Sequence, residues 1–418
     1  MSTYSASEQG AMLSSYEDIW LVEGARTPFD DYCGALRDTS PTDLGIYAAR
    51  ALFDKAEIPA SDVGFVVAGN MAQSSYDAFF LPRHIGLYAG VPLTAPSLLV
   101  QRLCGTGFEA ILTAADQIAH GKAKVALVVG AESMSRNPIA SYGHRAGFRM
   151  GQVEFKDFLW EATLDTAPGI GMGNTAENLA VRYGITREEV DEFALRSFGL
   201  ASKAWDNGYF DDEVVPVTNA HWRLEGYQDR GLKLADKKAA LSRDGHVRVS
   251  SLDALAKIRP AFGGVQTGGN SSAIVDGAAA VFVASGDYVR AHGLKPLARI
   301  CGGSVVGVPP EIMGIGPAPA IKSLLDSRGM SVDDVARYEI NEAFGAQYIA
   351  CERELGLDRD RVNTQGGAIA IGHPLGVTGV RLTHTVSRQL TRFDGQYGIS
   401  SACAGGGQGI AVLVENPA

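Results

Sequence analysis

Five short runs of almost unbroken apolar residues, at 19–22, 65–68, 125–129, 278–283 and 410–414, constrain this chain more than any other feature. A strand with one face in water alternates polar and apolar side chains; a strand without that alternation is covered on both faces. Helical patterns stand between the runs at 43–56, 108–119 and 379–390, with apolar residues recurring at helix-face spacing. Strand, helix and strand in repeated order specify an α/β architecture with helices on both faces of the sheet. The two ends of the chain echo one another in this rhythm, which predicts two related halves. Residues 136–273 break it and are richer in charge. There Thr186 and Glu189 read as a capping box opening a helix through Phe193, Leu195 and Phe198.

At 418 residues the chain is long enough for two or three domains around a large core. A net charge of −10 argues against general affinity for nucleic acid or an anionic membrane, and no apolar run reaches the length of a membrane span. The five cysteines are odd in number and form no Cys-x-x-Cys pair. Neither a disulfide framework nor a zinc knuckle is therefore expected; a reducing, cytoplasmic setting is. Residues 1–16 are small and polar without arginine, and read as a mobile extension rather than a targeting signal. The final Asn416-Pro417-Ala418 is not a peroxisomal address.

Four stretches concentrate reactive groups beside glycine. In the first, Cys104 stands just before the helix at 108–119, flanked by Gly105 and Gly107. A helix N-terminus presents free N–H groups and a positive dipole end, a setting that favours thiolate. A drop of about two pKa units corresponds to roughly 2.7 kcal/mol. The glycines leave room for a substrate to approach the backbone; the alternative is an inert core cysteine. The second stretch, 339–344, offers Asn341 after a strand, either to hold a water or carbonyl or to cap a helix. The third, 366–376, places His373 among glycines, where Pro374 steers its backbone away from the α region. The fourth, 401–407, ends in Cys403, Ala404 and three glycines whose N–H groups suit an oxyanion, or simply a tight turn.

Together these stretches resemble the thiolase family. So do 24–29 (Gly-Ala-Arg-Thr-Pro-Phe), 130–135 (Gly-Ala-Glu-Ser-Met-Ser), 255–262 (Leu-Ala-Lys-Ile-Arg-Pro-Ala-Phe) and 269–272 (Gly-Asn-Ser-Ser), all in the family's order. The resemblance implies two similar βαβαβαββ halves in a five-layered αβαβα core, usually as a homodimer or homotetramer. It implies an N-terminal half at 17–135 with 274–296, a loop domain at 136–273 and a C-terminal half at 297–418. It also implies acyl transfer between CoA thioesters by a ping-pong course, with CoA and acyl-CoA as substrates and no permanently bound cofactor or metal. Cys104 would carry the acyl group, His373 would activate it, and Cys403 would move the proton α to the carbonyl. Asn341 would position a water, and Gly405 would supply an oxyanion N–H. Ser272 would touch pantetheine, with Met172, Phe344 and Ala343 as pocket walls.

Three departures stand out. Thr106 replaces a commoner serine and Ala404 a bulkier aliphatic residue. Gly171 stands where short-chain members commonly carry histidine, which points to longer or substituted 3-ketoacyl substrates. The basic segment 223–248 has no clean counterpart, so no residue there is assigned to the 3′-phosphate of CoA. Three other readings compete: a decarboxylating ketoacyl synthase of the same fold, a Cys/His hydrolase, and a non-catalytic CoA- or lipid-binding protein.

Overall fold

The computed structural model describes residues 10–417, and an eleven-stranded sheet runs through it. In chain order its strands are β1 (Met12–Ser15), β2 (Ile19–Arg26), β3 (Asp30–Asp31), β4 (Phe65–Gly69), β5 (Ser97–Val100) and β6 (Val125–Ser133). They continue as β7 (Val275–Ser285), β8 (Ala298–Gly307), β9 (Arg337–Ile340), β10 (Tyr397–Ala404) and β11 (Gln408–Glu415). The first half supplies the order β2-β7-β6-β4-β5 and the second β9-β10-β11-β8. They join where β8 meets β2, at Ala298↔Leu21 and Arg299↔Trp20. All of β6, and all of β7 except its last residue, is buried, as unalternated apolar strands require.

The helices sort into three layers around these strands. α1 (Pro41–Lys55) and α2 (Leu81–Tyr88) cover the outer face of the first half. α3 (Thr106–Ala119) lies between the halves. α4 (Met172–Tyr183) and α5 (Arg187–Asp206) belong to the intervening loop region, and the capping box at Thr186 and Glu189 opens α5. α6 (Pro317–Asp326) covers the outer face of the second half, and α7 (Gly345–Leu355) packs on α4, α5 and α6. α8 (Thr378–Phe393) joins α3 in the central layer, where the two touch each other and strands of both halves. The expected five-layered αβαβα order is therefore present.

One contact in the central layer positions the site. A Cβ on Gly107 would stand 2.6 Å from the Val380 nitrogen, and one on Gly379 would collide with the Phe108 nitrogen. Glycine at both places lets the first turns of α3 and α8 meet backbone to backbone. Gly107 thus serves helix packing rather than substrate approach. The contact draws together the segments that precede each helix, which carry Cys104 and His373.

Two expectations are corrected. Part of the supposed mobile extension is a strand: β1 pairs antiparallel with β8 from Met12↔Val305 to Ser15↔Gly302. Beyond its short contact with β2, β8 has an open edge, and an unpaired row of N–H and C=O groups is satisfied by a further strand. Tyr16 is buried and its hydroxyl donates to Asp116 Oδ1 at 2.6 Å. Residues 1–9 lie outside the described residues. The second departure is an unequal repeat. The first half runs β-α-β-α-β-α-β-β, but the second half's third strand shrinks to a single bridge, Tyr338↔Val362. Asn363 follows with φ +48° and cannot extend that strand. Its side-chain amide takes over the pairing, accepting from Ile340 N at 2.9 Å and donating to Ile340 O at 2.8 Å. Among the described residues no helix is long and apolar enough to cross a membrane.

Candidate active site

Cys104 occupies a tight elbow between β5 and α3. Leu103 before it has φ +49°, a conformation costly for a branched side chain and typical of functional turns. Thr106 pins this turn: its hydroxyl donates to Leu103 O at 2.6 Å and accepts from Arg102 N at 2.8 Å. The threonine that replaces the commoner serine therefore keeps the bonding hydroxyl.

The sequence expectation of a lowered thiol pKa is overturned. Burial pushes the Cys104 thiol up to about 11, against the pull of hydrogen bonds from the Gly405 and Cys104 N–H groups, and the Glu132 charge adds to the rise. Desolvation of the thiolate outweighs the helix terminus. At neutral pH the resting residue is a thiol and needs a base. Alkylation of Cys104 in ligand-free protein is accordingly expected to climb through the alkaline range toward pH 11. An iodoacetamide pH profile that levels off near neutrality would contradict this.

His373 is buried beside the same cleft as Cys104. Its backbone N donates to Ala273 O at 3.0 Å, and its Nδ1 lies 2.6 Å from Thr378 Oγ1 on the first turn of α8. Its Nε2 lies 3.4 Å from Asn341 Nδ2. An amide nitrogen only donates, so Nε2 is the acceptor and the imidazole proton sits on Nδ1, facing the threonine. Burial, followed by the Arg381 charge, pushes the imidazole down to about 3. It is neutral at rest, with a lone pair on Nε2.

Asn341 ends β9. Its backbone N donates to Ser401 O at 2.9 Å, and its buried Oδ1 has no partner among the described residues. It is not a helix cap, since Phe344 fills that place for α7. A buried amide oxygen without a partner is costly unless water or a ligand meets it. Cys403, on β10, is fully buried against Met313 and Ala343, with Met172 and Phe344 alongside. Burial lifts its thiol well above the ordinary range, and the nearby Cys104 and Cys351 add to the rise. Gly406 and Gly407, at φ +74° and +83°, turn the chain between β10 and β11, while Gly405 aims its N–H at the Cys104 sulfur.

Cys104 and His373 line one cleft of about 980 Å³, together with Met172, Ser272, Ala343 and Phe344. Ser272 N donates to Ala343 O at 3.0 Å, and Phe344 stands edge-on to Phe262 with ring centroids 6.1 Å apart. Gly171 is in the same wall. None of residues 223–248 lines the cleft; Arg230 pairs with Asp43 and Asp77, and Arg243 with Asp206. Sequence reading missed Thr378 and the cleft residues Met313 and Phe262. Phe262 sat in a quoted motif, whereas Thr378 carries no local signal.

The match to known proteins spans the chain. The domain described as "Thiolase, N-terminal domain" covers residues 19–287 and "Thiolase, C-terminal domain" covers 294–416. Human mitochondrial 3-ketoacyl-CoA thiolase is 42% identical over 404 residues, spanning 96% of this chain and 98% of that protein. A beta-ketothiolase of Cupriavidus necator is 40% identical over 95% of this chain and 99% of its own. The crystal structure of the human enzyme superposes with a TM-score of 0.91 over 96% of this chain and 99% of that one. For the Bacillus anthracis acetyl-CoA acetyltransferase the TM-score is 0.88 at 40% identity, over 96% of this chain and 99% of that one. A neutral imidazole, two sheltered sulfur atoms and this correspondence along both halves lead to one conclusion: the chain belongs to the thiolase family of acyltransferases.

Proposed function

We propose that this thiolase cleaves 3-ketoacyl-CoA with free CoA to acetyl-CoA and a shortened acyl-CoA, and runs the reverse condensation, through an acyl group on Cys104. The observation that carries the reading is a thiol and an unprotonated imidazole Nε2 facing the same cleft, with the Gly405 N–H on the sulfur. His373 takes the Cys104 proton, and the thiolate adds to the C3 ketone. The N–H groups of Cys104 and Gly405 hold the oxyanion as the C2–C3 bond breaks. The departing enolate of acetyl-CoA takes its proton at C2 from Cys403, whose burial keeps the thiol protonated and ready as an acid. Protonated His373 and a water held by Asn341 steady the enolate oxygen. The Cys403 thiolate then takes the proton of the CoA thiol, whose sulfur attacks the acyl-cysteine; the Cys104–acyl bond breaks, the shortened acyl-CoA leaves, and His373 returns its proton to the Cys104 sulfur.

Acetoacetyl-CoA with free CoA is expected to yield acetyl-CoA, and labelled acetyl-CoA to leave its acetyl group on Cys104. A decarboxylating synthase would not cleave, a hydrolase would consume thioester without CoA as acceptor, and a binding protein would do neither.

Substrates longer than four carbons fit the cleft. Its lining includes the apolar Leu159, Trp160, Leu164, Ile170 and Met172. A Cβ at Gly171 would meet only Asn174 Oδ1 at 3.3 Å and Thr163 O at 3.9 Å. Its backbone, at φ −77° and ψ 159°, accepts any residue. Gly171→His is therefore expected to fold and to lower kcat/KM for six- to ten-carbon 3-ketoacyl-CoA by about tenfold or more, with little change for acetoacetyl-CoA. A kcat/KM series over chain length, including a 2-methyl-branched substrate, checks it. The cleft walls at 157–174 and 261–273 support a loop domain at 136–273 that contacts CoA and the acyl group. Exposed Leu98 on edge strand β5, together with the exposed Phe79, Phe80 and Leu93, supports a homo-oligomer.

A further inference from the structure

The loop that carries His373 is fastened on both sides by buried carboxylates that have no place in the steps above. Glu132, at the end of β6 in the first half, accepts four hydrogen bonds. Oε1 takes Asn70 Nδ2 at 2.9 Å and Ala72 N at 3.1 Å; Oε2 takes Met71 N at 3.0 Å and Gly376 N at 2.8 Å. Met71 and Ala72 pack with Cys104 and Leu103, and Gly376 lies three residues after His373. Glu132 therefore ties the surroundings of the nucleophile to the loop of the base across the boundary between halves.

Glu342, directly after Asn341, grips the other side of the loop. Its Oε2 accepts from Ser197 Oγ at 2.7 Å and Ile369 N at 3.1 Å, and its Oε1 from Asn363 Nδ2 at 2.9 Å. Ser197 Oγ in turn receives Gly367 N at 3.1 Å. Both glutamates are fully buried, and the partners named here are neutral N–H or O–H groups. Burying an ion among neutral donors is costly unless every lone pair is used. A carboxylate accepts on both oxygens, whereas a glutamine in place of Glu132 would turn an N–H toward two existing donors, and one in place of Glu342 toward at least one.

We propose that Glu132 and Glu342 are positioning residues, which hold His373 between Ile369 and Gly376 in register with Cys104 and Asn341. The idea rests on His373 acting as the base for Cys104. Neither carboxylate touches substrate; each acts through the loop. A displacement of about 1 Å in such a loop is enough to cost on the order of 10² in rate.

The test uses the full chain with Glu132→Gln and Glu342→Gln, each alone and combined with His373→Ala. E132Q is expected to fold, to lose on the order of 10² in kcat for thiolysis, and to change KM by less than about threefold, because Ser272, Met172 and Phe344 are untouched. Alkylation of Cys104 by iodoacetamide at pH 7 supplies a readout that a purely structural role would not move. With His373 present, E132Q is expected to slow alkylation, since the base is out of place. With His373→Ala it is expected to speed it, since a charge opposing the thiolate has gone. The same direction of change in both backgrounds, or an unchanged kcat in folded E132Q, overturns the proposal. If E132Q does not fold, E342Q decides it: slower alkylation only with His373 present supports the proposal, and equal change in both backgrounds overturns it. The alkylation arm needs no acyl-CoA, so failure of the thiolase reading shows separately, as absence of acetyl transfer in the parent protein.

Discussion

Cys104→Ser is expected to lower thiolysis by a factor on the order of 10⁴ or more while leaving the fold intact. In this site a hydroxyl differs from a thiol in the property that burial has already made scarce. The Cys104 thiol is lifted to about 11 by desolvation, and a neutral His373 with its pKa near 3 has to take the proton during attack. Serine, far less acidic, asks that same imidazole for a much harder deprotonation, and its oxygen is the poorer leaving group when CoA displaces the acyl group. Deleting a nucleophile from a coupled unit removes most of the acceleration, and only positioning and the oxyanion donors remain. Single-turnover transfer of labelled acetyl from acetyl-CoA, with a thermal melt on the same preparation, checks both halves of the statement. Turnover within tenfold of the parent would show that Cys104 is not the acyl carrier.

His373→Ala is expected to lower kcat by about 10²–10⁴, the usual range for a positioned acid–base group. Its loss strands two partners, Thr378 Oγ1 and Asn341 Nδ2, so Asn341 loses its orientation as well. The substitution also changes acid stability, and the sign follows from linkage. Folded His373 resists protonation, with its pKa pushed from 6.5 to about 3, so below pH 6.5 the unfolded chain binds the extra proton. The parent therefore holds its full stability above that pH and loses it progressively as pH falls toward 3. Without His373 that contribution is gone, and the variant is expected to show a shallower loss over this window. His384, likewise buried and depressed, leaves some slope in both proteins. Urea midpoints from pH 7 downward measure the difference; parallel curves would mean that His373 is not held neutral.

The candidate residues were legible because each sits in a short motif whose neighbours explain it. Cys104 precedes a helix, His373 sits between glycine and proline, and Cys403 runs into three glycines. Their surroundings were not. Thr378, which orients the imidazole, looks like any first-turn threonine. Glu132 bonds to Gly376 across 244 positions, and no window of sequence contains that bond. Met12–Ser15 reads as a polar tail until the open edge of β8 is known. The Val362 bridge replaces an expected strand because Asn363 turns back on Ile340.

The sequence by itself determined the α/β layering, the helices and strands that carry it, and the reactive side chains, since periodicity and backbone preference act within a few residues. Only the tertiary structure decided their state. It converted a cysteine that local rules make acidic into one held protonated, made the histidine a free base, and gave Gly107 to a helix contact. Ionisation depends on how much water neighbouring layers exclude and which distant donors arrive. In this chain those layers and donors come from both halves at once.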